Sequence, residues 1–333
     1  MNALRLHGVG DLRLHDEPGV DAGEGEISID VTAVGLCGSD RHWVTEGAIG
    51  DARLERPLVL GHEFAGVIAS GARAGQRVVL DPAVPCDLCA VCAAGLPHLC
   101  PQISFAGHGT RDGALRTRMA WPERLAHPIP DTIGDPESAL LEPLGVALHA
   151  LDLGHIREGT TAGVFGCGPI GLLLVQSLVA HGAQTLVATD PLPHRRAAAE
   201  ASGAVHAIHP DELAAEAPSV DVAFEVAGTD EALADAIAAV RPGGRVVLVG
   251  IPDGDVTSFT ASPVRRKGLT LLVSRRMTPS DLPRAIDLAA KGRVDLGSLV
   301  GERFALSEWE EAFAALLDRR TLKVVVEPQR QAA

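Results

Sequence analysis

Hydrophobic and polar residues follow two different patterns along this chain of 333 residues. Up to about residue 130, short stretches alternate apolar and polar positions between segments rich in Gly and Pro, as at 26–31 and 76–80. Alternation with a period of two is typical of half-buried strands. The first part of the chain is therefore predicted to form a mostly β domain with irregular loops.

From about residue 159 the pattern changes to apolar strands that alternate with Ala- and Leu-rich helices. We predict strands at 162–165, 185–189, 221–226, 245–249 and 269–273, and helices at 170–181, 193–201, 230–240 and 279–291. This alternation indicates an α/β fold with a doubly wound parallel sheet. The tail adds a predicted helix at 307–317 and a strand at 323–327, which could return to the first domain.

The composition is that of a soluble metabolic enzyme, with 46% hydrophobic and 22% charged residues. A net charge of −14 argues against a nucleic-acid or anionic-membrane surface. The N-terminal segment lacks the basic-then-apolar pattern of a signal peptide, and no apolar run is long enough to span a bilayer. With thiols expected to be reduced, these features predict a cytoplasmic protein.

Four of the six cysteines form a C-x2-C-x2-C-x7-C cluster at Cys86, Cys89, Cys92 and Cys100. Thiolates at this spacing can converge on one tetrahedral zinc ion within a single tight lobe. Such short loops suit a metal better than a set of disulfides. The cluster therefore predicts a closed, structural zinc site.

A G-x-G-x-x-G motif follows a predicted apolar strand and begins a predicted helix. In a dinucleotide site, Gly166 allows the tight turn, Gly168 lets the backbone approach the pyrophosphate, and Gly171 lets the helix pack on the strand. The helix N-terminus supplies unpaired N–H groups and partial positive charge to the phosphates. The motif in this context predicts a dinucleotide site.

Asp190 lies 19 residues beyond the last glycine of the motif, at the end of the next predicted strand. Its carboxylate can accept hydrogen bonds from both ribose hydroxyls and would repel a 2′-phosphate. The residue therefore favours NAD over NADP. Arg195 and Arg196 temper this prediction, since a nearby arginine can hold a 2′-phosphate.

Cys37, His62 and Glu63 form a second candidate metal site. Three protein ligands leave one zinc position for water or substrate. Cys37 is predicted to precede a short helix capped by Ser39 or Asp40, which would favour its thiolate. On the residues alone this set is only suggestive, because a lone cysteine and a loop histidine are more often structural.

A third acid near this candidate site has two interpretations. Glu142 lies in the segment LLEPLG. It could be a further metal ligand, or it could cap the helix that follows Pro143. The residues alone leave both open.

These motifs together resemble those of the zinc-dependent medium-chain alcohol dehydrogenase family, and within it the sorbitol (L-iditol 2-) dehydrogenase or polyol dehydrogenase branch. The stretch CGSDRHWVTEGAIGDARLERPLVLGHE matches that branch's C-G-S-D-x-H, G-x-I-G-D and P-x-V-L-G-H-E segments. The four-cysteine cluster matches the family's structural-zinc lobe, and the segments that begin at Glu142 and Gly301 match later parts of the branch. The resemblance extends from Leu4 to Val326.

The resemblance implies a GroES-like, mostly β catalytic domain at 1–145, completed by 295–333, and a Rossmann NAD-binding domain at 146–294. It places the catalytic cleft between the two. It also implies two zinc ions per chain, NAD as the cofactor, and a homo-tetramer or homo-dimer.

By matching position, the resemblance assigns the catalytic zinc to Cys37, His62 and Glu63. It makes Glu142 an intermittent or water-bridged ligand, and Ser39 and His42 match the family's proton relay. Besides the motif glycines, the positions that match NAD contacts are Ile170, Asp190, Arg195, Val249, Gly250, Ile251, Val273, Ser274, Arg275 and Arg276.

Three positions match the substrate pocket of the branch. Trp43 stands where sorbitol dehydrogenases often have tyrosine, and would be an apolar wall that sets chain length. Arg118 lies near a position that is often aromatic; it either points to solvent or makes the pocket polar enough for an acidic or phosphorylated sugar alcohol. Arg303 matches the branch's polyol-contacting arginine.

The function that follows from the resemblance is the reversible, NAD-linked oxidation of a secondary alcohol on a polyol to a ketose. Alternatives in the same superfamily are an aldonate (L-idonate-type), sugar-phosphate, threonine or simple secondary-alcohol dehydrogenase. A short-chain dehydrogenase is disfavoured, because its Tyr-x3-Lys pair cannot exist in a chain without tyrosine. A zinc-stabilised NAD-binding protein without catalysis would hold one zinc ion per chain instead of two.

Overall fold

The structure is a computed structural model that describes residues 1–213 and 219–331. The chain divides into two compact units. The first comprises Met1–Glu142, Thr278–Ala290 and Leu296–Ala333, and the second comprises Pro143–Met277 and Lys291–Asp295. The last two residues of the predicted 295–333 segment lie outside the described residues. Within the described ranges, no helix combines the length and apolar character needed to cross a membrane.

The first unit is built on a seven-stranded sheet with mostly antiparallel pairs. Its strands are β3 (Glu26–Gly35), β7 (Glu63–Ile68), β8 (Arg77–Leu80), β11 (Arg118–Pro122), β12 (Ala126–Pro128), β19 (Val300–Ala305) and β20 (Lys323–Glu327). Their order is β12-β8-β7-β3-β20-β19, and β11 also pairs with β3. The predicted mostly β character of this part is confirmed.

Smaller elements complete the first unit. Its other strands are β1 (Asn2–Gly8), β2 (Asp11–Asp16), β4 (Ala48–Ile49), β5 (Ala52–Arg53), β6 (Leu58–Val59), β9 (Ala83–Val84) and β10 (Ser104–Phe105). Its helices are α1 (Gly38–Glu46), α2 (Ala90–Ala93), α3 (Asp135–Ser138), α9 (Asp281–Ala290) and α10 (Trp309–Leu317). The core includes Phe64 and Trp121, whose rings meet edge to face at 5.6 Å.

The second unit is a six-stranded parallel sheet with the order β15-β14-β13-β16-β17-β18. Its strands are β13 (Thr161–Phe165), β14 (Gln184–Thr189), β15 (Ala207–Ile208), β16 (Val220–Glu225), β17 (Val240–Leu248) and β18 (Thr270–Val273). Helices α5 (Pro169–Ala180), α6 (Pro193–Ala201), α7 (Asp230–Ala239) and α8 (Ala261–Lys267) join successive strands, and α4 (Leu141–Leu153) precedes the sheet. The predicted doubly wound parallel sheet is confirmed.

Some boundaries differ from the sequence-based prediction. β15 was not predicted, because two residues are too few to show a periodicity. Helix α9 begins at Asp281 instead of 279, since Thr278 donates both its N–H and its hydroxyl to the Asp281 carboxylate, each at 2.7 Å.

The division into units also differs from the predicted 146–294 domain. Helix α9 belongs to the first unit, whereas Lys291–Asp295 belongs to the second. The latter segment is tied to α5 by two hydrogen bonds between Gln176 and the Asp295 backbone, at 3.1 and 2.6 Å.

Candidate active site and nucleotide site

The structure brings Cys37, His62 and Glu63 together in the first unit. Cys37 follows β3 and is the N-cap of α1, and β3 pairs with β7 so that Gly35 lies opposite Glu63. Strand pairing therefore places the two ligand segments side by side. The Sγ atom, one ring nitrogen and one carboxylate oxygen all lie within 4.8 Å of one another. Thiolate, imidazole and carboxylate are a donor set that zinc accepts, so these residues fit the metal implied by the resemblance.

Asp40 links the two ligand segments, a role that the sequence analysis missed. Its side chain is fully buried and accepts hydrogen bonds from the N–H groups of Cys37, at 2.9 Å, and Gly61, at 3.3 Å. Its Oδ1 also lies 3.8 Å from His62 Nδ1. A carboxylate in this place fixes the orientation of a ligating imidazole. The predicted cap is confirmed only in part: Cys37 itself is the N-cap and Ser39 lies inside the helix, but the Asp40 side chain completes a capping box by accepting the Cys37 N–H.

The surroundings of Cys37 correct a second expectation. A helix start was expected to favour the thiolate, but burial raises the pKa of the Cys37 thiol to about 12, and the nearby Glu63 carboxylate acts in the same direction. In the zinc-free site, desolvation outweighs the Lys323 cation and the Ser39 hydrogen bond, both of which lower this pKa.

Glu142 lies in the first turn of α4, which begins at Leu141, so it does not cap a helix that starts after Pro143. The side chain is buried, and this burial raises the pKa of Glu142 to about 8. His62, Glu63 and Cys37 all contribute electrostatically to that shift. The candidate ligands therefore act on the charge of Glu142, but Glu142 is not one of the three residues whose ligand atoms lie within 4.8 Å of one another.

Lys323 supplies a buried positive charge to the site, and no local sequence pattern indicates this role. Its ammonium group contacts Glu63 Oε2 directly, and both side chains are only 2% exposed. Burial lowers the pKa of Lys323, but the neighbouring Glu63 and Cys37 outweigh that effect and raise it. Gly35 makes room for the pair, because an added Cβ there would overlap Glu63 Oε2 and lie 2.8 Å from Lys323 Cε.

The two predicted relay residues occupy the same helix. Ser39 Oγ lies 3.3 Å from His62 Nε2, so its hydroxyl is beside a ligand candidate. His42 is buried, and its Nδ1 lies 2.7 Å from Glu46 Oε1, one turn further along α1. Ser39 thus lies beside the candidate metal ligands, whereas His42 contacts Glu46.

Trp43 is buried beside an aromatic group that the sequence analysis did not single out. The His108 ring meets Trp43 edge to face at 5.4 Å. Phe105 lies 5.4 Å from the His62 ring and 6.4 Å from the His108 ring. A series of ring contacts therefore runs from Trp43 through His108 and Phe105 to His62.

The two predicted pocket arginines each pair with an acid. Arg118 is exposed and donates to Asp30 at 2.6 Å, across the β11–β3 pair. Arg303 is also exposed and forms a bidentate salt bridge with Glu327, with hydrogen bonds of 3.0 and 2.7 Å. The contact of Arg118 agrees with the solvent-facing interpretation. The Arg303 guanidinium must leave Glu327, or share it, to contact a substrate.

The four-cysteine cluster is also assembled. Sulfur–sulfur distances are 3.5 Å for Cys89–Cys92 and Cys86–Cys100, 3.9 Å for Cys89–Cys100 and 4.0 Å for Cys86–Cys92. Zn–S bonds of about 2.3 Å in a tetrahedron place sulfur atoms about 3.8 Å apart. All four thiols are free. Their spacing fits a closed zinc site and excludes disulfides among them in this structure.

The glycine motif lies between β13 and α5 in the second unit. Gly166 has a φ of +107°, a conformation that favours glycine. Gly168 is the N-cap of α5, and an added Cβ at Gly171 would overlap the Gly166 carbonyl. Ile170 lies in the first turn of α5. These features fit the close approach of a pyrophosphate to a helix N-terminus.

Asp190 follows β14 at the same edge of the sheet. Its carboxylate is buried and accepts the N–H groups of Cys167, at 3.0 Å, and Leu192, at 2.9 Å. Arg195 lies 3.8 Å from this carboxylate, and Arg196 donates to the Asp190 carbonyl at 2.9 Å. The acid is thus held beside the glycine turn with two arginines next to it.

The later predicted cofactor positions follow the ends of β17 and β18. The N–H groups of Val249 and Gly250 donate to the Glu225 carbonyl at 2.8 and 3.1 Å. Ser274 donates its N–H to the Leu248 carbonyl at 2.8 Å. Because carboxyl ends of parallel strands share one edge, the segments 249–251 and 273–276 lie on the edge that carries the glycine motif.

Comparisons with known proteins cover both units. Residues 23–131 match the family model of the alcohol dehydrogenase GroES-like domain, and residues 169–291 match that of the zinc-binding dehydrogenase. A sorbitol dehydrogenase of Bacillus subtilis (strain 168) is 34% identical, over 99% of this chain and 98% of that protein.

Solved structures agree with these matches. A zinc-binding dehydrogenase of Sinorhizobium meliloti 1021, bound to NADP, has a TM-score of 0.90 at 30% identity. An alcohol dehydrogenase of Escherichia coli CFT073, complexed with NADH, has a TM-score of 0.89 at 26% identity. Each alignment covers 98% of this chain and 99% of the other.

Proposed function

The chain belongs to the zinc-dependent medium-chain alcohol dehydrogenase family, and we propose that it catalyses the reversible, NAD-linked oxidation of a secondary alcohol on a polyol to a ketose. The observation that carries this proposal is the group of Cys37, His62 and Glu63, whose ligand atoms lie within 4.8 Å of one another. The similarity to a sorbitol dehydrogenase supports a polyol as the substrate.

The protein side chains around that group have separable roles. Zinc held by Cys37, His62 and Glu63 would act as a Lewis acid that lowers the pKa of a substrate hydroxyl, and bound NAD would supply the hydride acceptor. Ser39 Oγ, beside His62 Nε2, would accept the hydroxyl proton from the substrate as it releases its own hydroxyl proton to the next group of the relay, so that the serine stays neutral. His42 Nδ1 faces Glu46, so a proton that reaches this imidazole has a carboxylate next to it.

The test of the proposed reaction is a substrate panel followed by NADH absorbance. Sorbitol and xylitol should be oxidised with a kcat/KM at least about 10-fold above those for L-idonate, threonine, a sugar phosphate and 2-propanol. A polyol site has buried polar groups that a simple alcohol leaves unpaired, and this lowers efficiency. Equal or better turnover of 2-propanol contradicts the polyol assignment and leaves the family assignment intact.

The proposal includes two zinc ions per chain, one in each cysteine-containing site. A zinc-stabilised binding protein would hold one. Metal analysis of the purified chain separates these alternatives, because the four-cysteine lobe accounts for only the first ion.

We expect the coenzyme preference to depend on Asp190. Asp190→Ser removes the carboxylate that repels a 2′-phosphate and leaves Arg195 and Arg196 to receive it. The ratio of kcat/KM for NADP to that for NAD should rise by about 10²-fold, since juxtaposed like charges cost several kcal/mol. Affinity for NAD should fall, because the N–H groups of Cys167 and Leu192 lose their acceptor.

The matched control is Glu200→Gln, which neutralises an exposed acid on α6, the helix that carries Arg195. It should leave the coenzyme ratio unchanged. A parent enzyme that already prefers NADP overturns the NAD assignment.

The proposed assembly is a homo-tetramer or homo-dimer in the cytoplasm. One edge of the second unit supports self-association: β18 is the last strand of its sheet, so among the described residues its outer edge has no paired strand. Light scattering of the purified protein measures the oligomeric state directly.

A further inference from the structure

A buried acid lies at the carboxyl end of β16, outside the residues assigned above to the cofactor. Glu225 is the last residue of that strand, and its side chain is only 3% exposed. Its Oε1 accepts the N–H groups of Ala227 and Gly228, both at 2.7 Å. Burial raises the pKa of this carboxyl, while the N–H groups around it favour the charged form. Each hydrogen bond that this buried carboxylate accepts therefore helps to keep it in the charged form.

The turn that Glu225 holds packs against two other loops of the nucleotide edge. An added Cβ at Gly166 would lie 2.8 Å from the Ala227 nitrogen. Gly228 has a φ of +73°, and an added Cβ there would overlap the Ile251 carbonyl. The backbone of the 227–228 turn is therefore in close contact with both the glycine turn and the 249–251 segment.

The backbone of Glu225 also holds a neighbouring turn. Its carbonyl accepts the N–H groups of Val249 and Gly250. One residue therefore anchors both the 227–228 turn, through its side chain, and the 249–250 turn, through its main chain.

The topology indicates which half of a dinucleotide would lie next to the turns at 227–228 and 249–250. The strand order changes direction between β13 and β16, and a dinucleotide binds across the crevice at such a point. Asp190 follows β14, on one side of β13, where the adenosine ribose would bind. Glu225 ends β16, on the opposite side of β13, where the nicotinamide half would bind.

We propose that Glu225 is a positioning residue for the nicotinamide half of the cofactor: it holds the turns at 227–228 and 249–250 in the shape that receives this half. The inference rests on the proposed use of a nicotinamide dinucleotide. Glu225 does not touch the reacting atoms and acts through the backbone that it holds.

The test is the binding of two ligands to the full chain with Glu225→Gln. The amide keeps the shape of the side chain, but its one remaining oxygen is neutral, so the N–H groups of Ala227 and Gly228 lose their charge-assisted hydrogen bonds. The dissociation constant of NADH should rise by about 10- to 100-fold, as expected for lost hydrogen bonds to a charged group. That of 5′-AMP, which carries only the adenosine half, should change by less than about 2-fold. Calorimetric titration measures both.

The chain offers a matched control at the other end of the same strand. The Asp221 carboxylate also accepts a backbone N–H, from Thr161 at 2.8 Å, and pairs with Arg241 at 2.7 Å. Asp221→Asn removes comparable contacts far along β16 from the nucleotide edge. It should change neither dissociation constant, although it should lower the melting temperature.

The outcomes separate this inference from the proposed function. Equal weakening of NADH and 5′-AMP, no weakening of either, or weakening of NADH by Asp221→Asn overturns the positioning role. Failure of the parent to bind NADH instead overturns the proposed function. If Glu225→Gln does not fold, hydrogen exchange of the parent decides: NADH should slow exchange at 226–229 and 5′-AMP should not, and an equal response to both ligands overturns the inference.

Discussion

Cys37→Ser is expected to remove the metal of the open site and to lower kcat by at least about 10³-fold, with the fold retained. The serine hydroxyl is a poor zinc ligand at neutral pH, and Lewis-acid activation contributes several kcal/mol, at about 1.4 kcal/mol for each tenfold in rate. Metal analysis should find one zinc ion per chain, and circular dichroism should match that of the parent.

Cys92→Ser is the counterpart at the four-cysteine cluster. It should also remove one zinc ion, but its main effect should be on stability, because a structural zinc contributes directly to the folding free energy. Part of the activity should survive at low temperature, since the open site is intact. If both variants retain two zinc ions and full activity, both metal assignments are wrong.

Lys323→Met should destabilise the zinc-free protein by about 3–5 kcal/mol, the usual cost of leaving one member of a buried ion pair uncompensated. Glu63 would then lie in the interior with no cation beside it. Bound zinc restores a positive charge at Glu63, so the loss of stability should shrink when zinc is present. Because zinc is then the cation that neutralises Glu63, the variant should lose its open-site zinc to a chelator less readily than the parent does.

Denaturant unfolding with and without a chelator measures this difference. Arg118→Met is the control, because the exposed Arg118–Asp30 pair should contribute less than about 1 kcal/mol. In the chelated protein, adding Glu63→Gln to Lys323→Met should recover part of the loss. A chelated Lys323→Met variant as stable as the parent would show that the buried pair contributes nothing.

The parts of this structure that could be predicted from sequence are those carried by short-range patterns. Strand–helix alternation predicted the parallel sheet, since each element shows its own periodicity. The spacing of the cysteines and of the glycines likewise reports geometry within a single loop.

The features that could not be predicted from the sequence depend on contacts between residues far apart in the chain, or on desolvation. Lys323 follows Glu63 by roughly 260 residues, and they meet only because β20 and β7 pair with β3 from its two sides. Asp40 was interpreted as a helix cap, because a local pattern does not show that Gly61 supplies a second donor. The Cys37 thiol was expected to ionise readily, and only its burial, invisible in the sequence, reverses that.

The connectivity of the first unit has a consequence for how the protein is made. The end of β3 that leads to Cys37 is paired by β20: Gly35 faces Val325, and Leu36 donates its N–H to the Val324 carbonyl at 3.0 Å. Roughly 290 residues separate the two strands, and a ribosome adding about 5–20 residues per second needs roughly 15–60 s to synthesise them. During that interval this end of β3 is an unpaired strand edge on the nascent chain, open to wrong partners. In a truncated chain that ends before β20, this edge of β3 would stay unpaired.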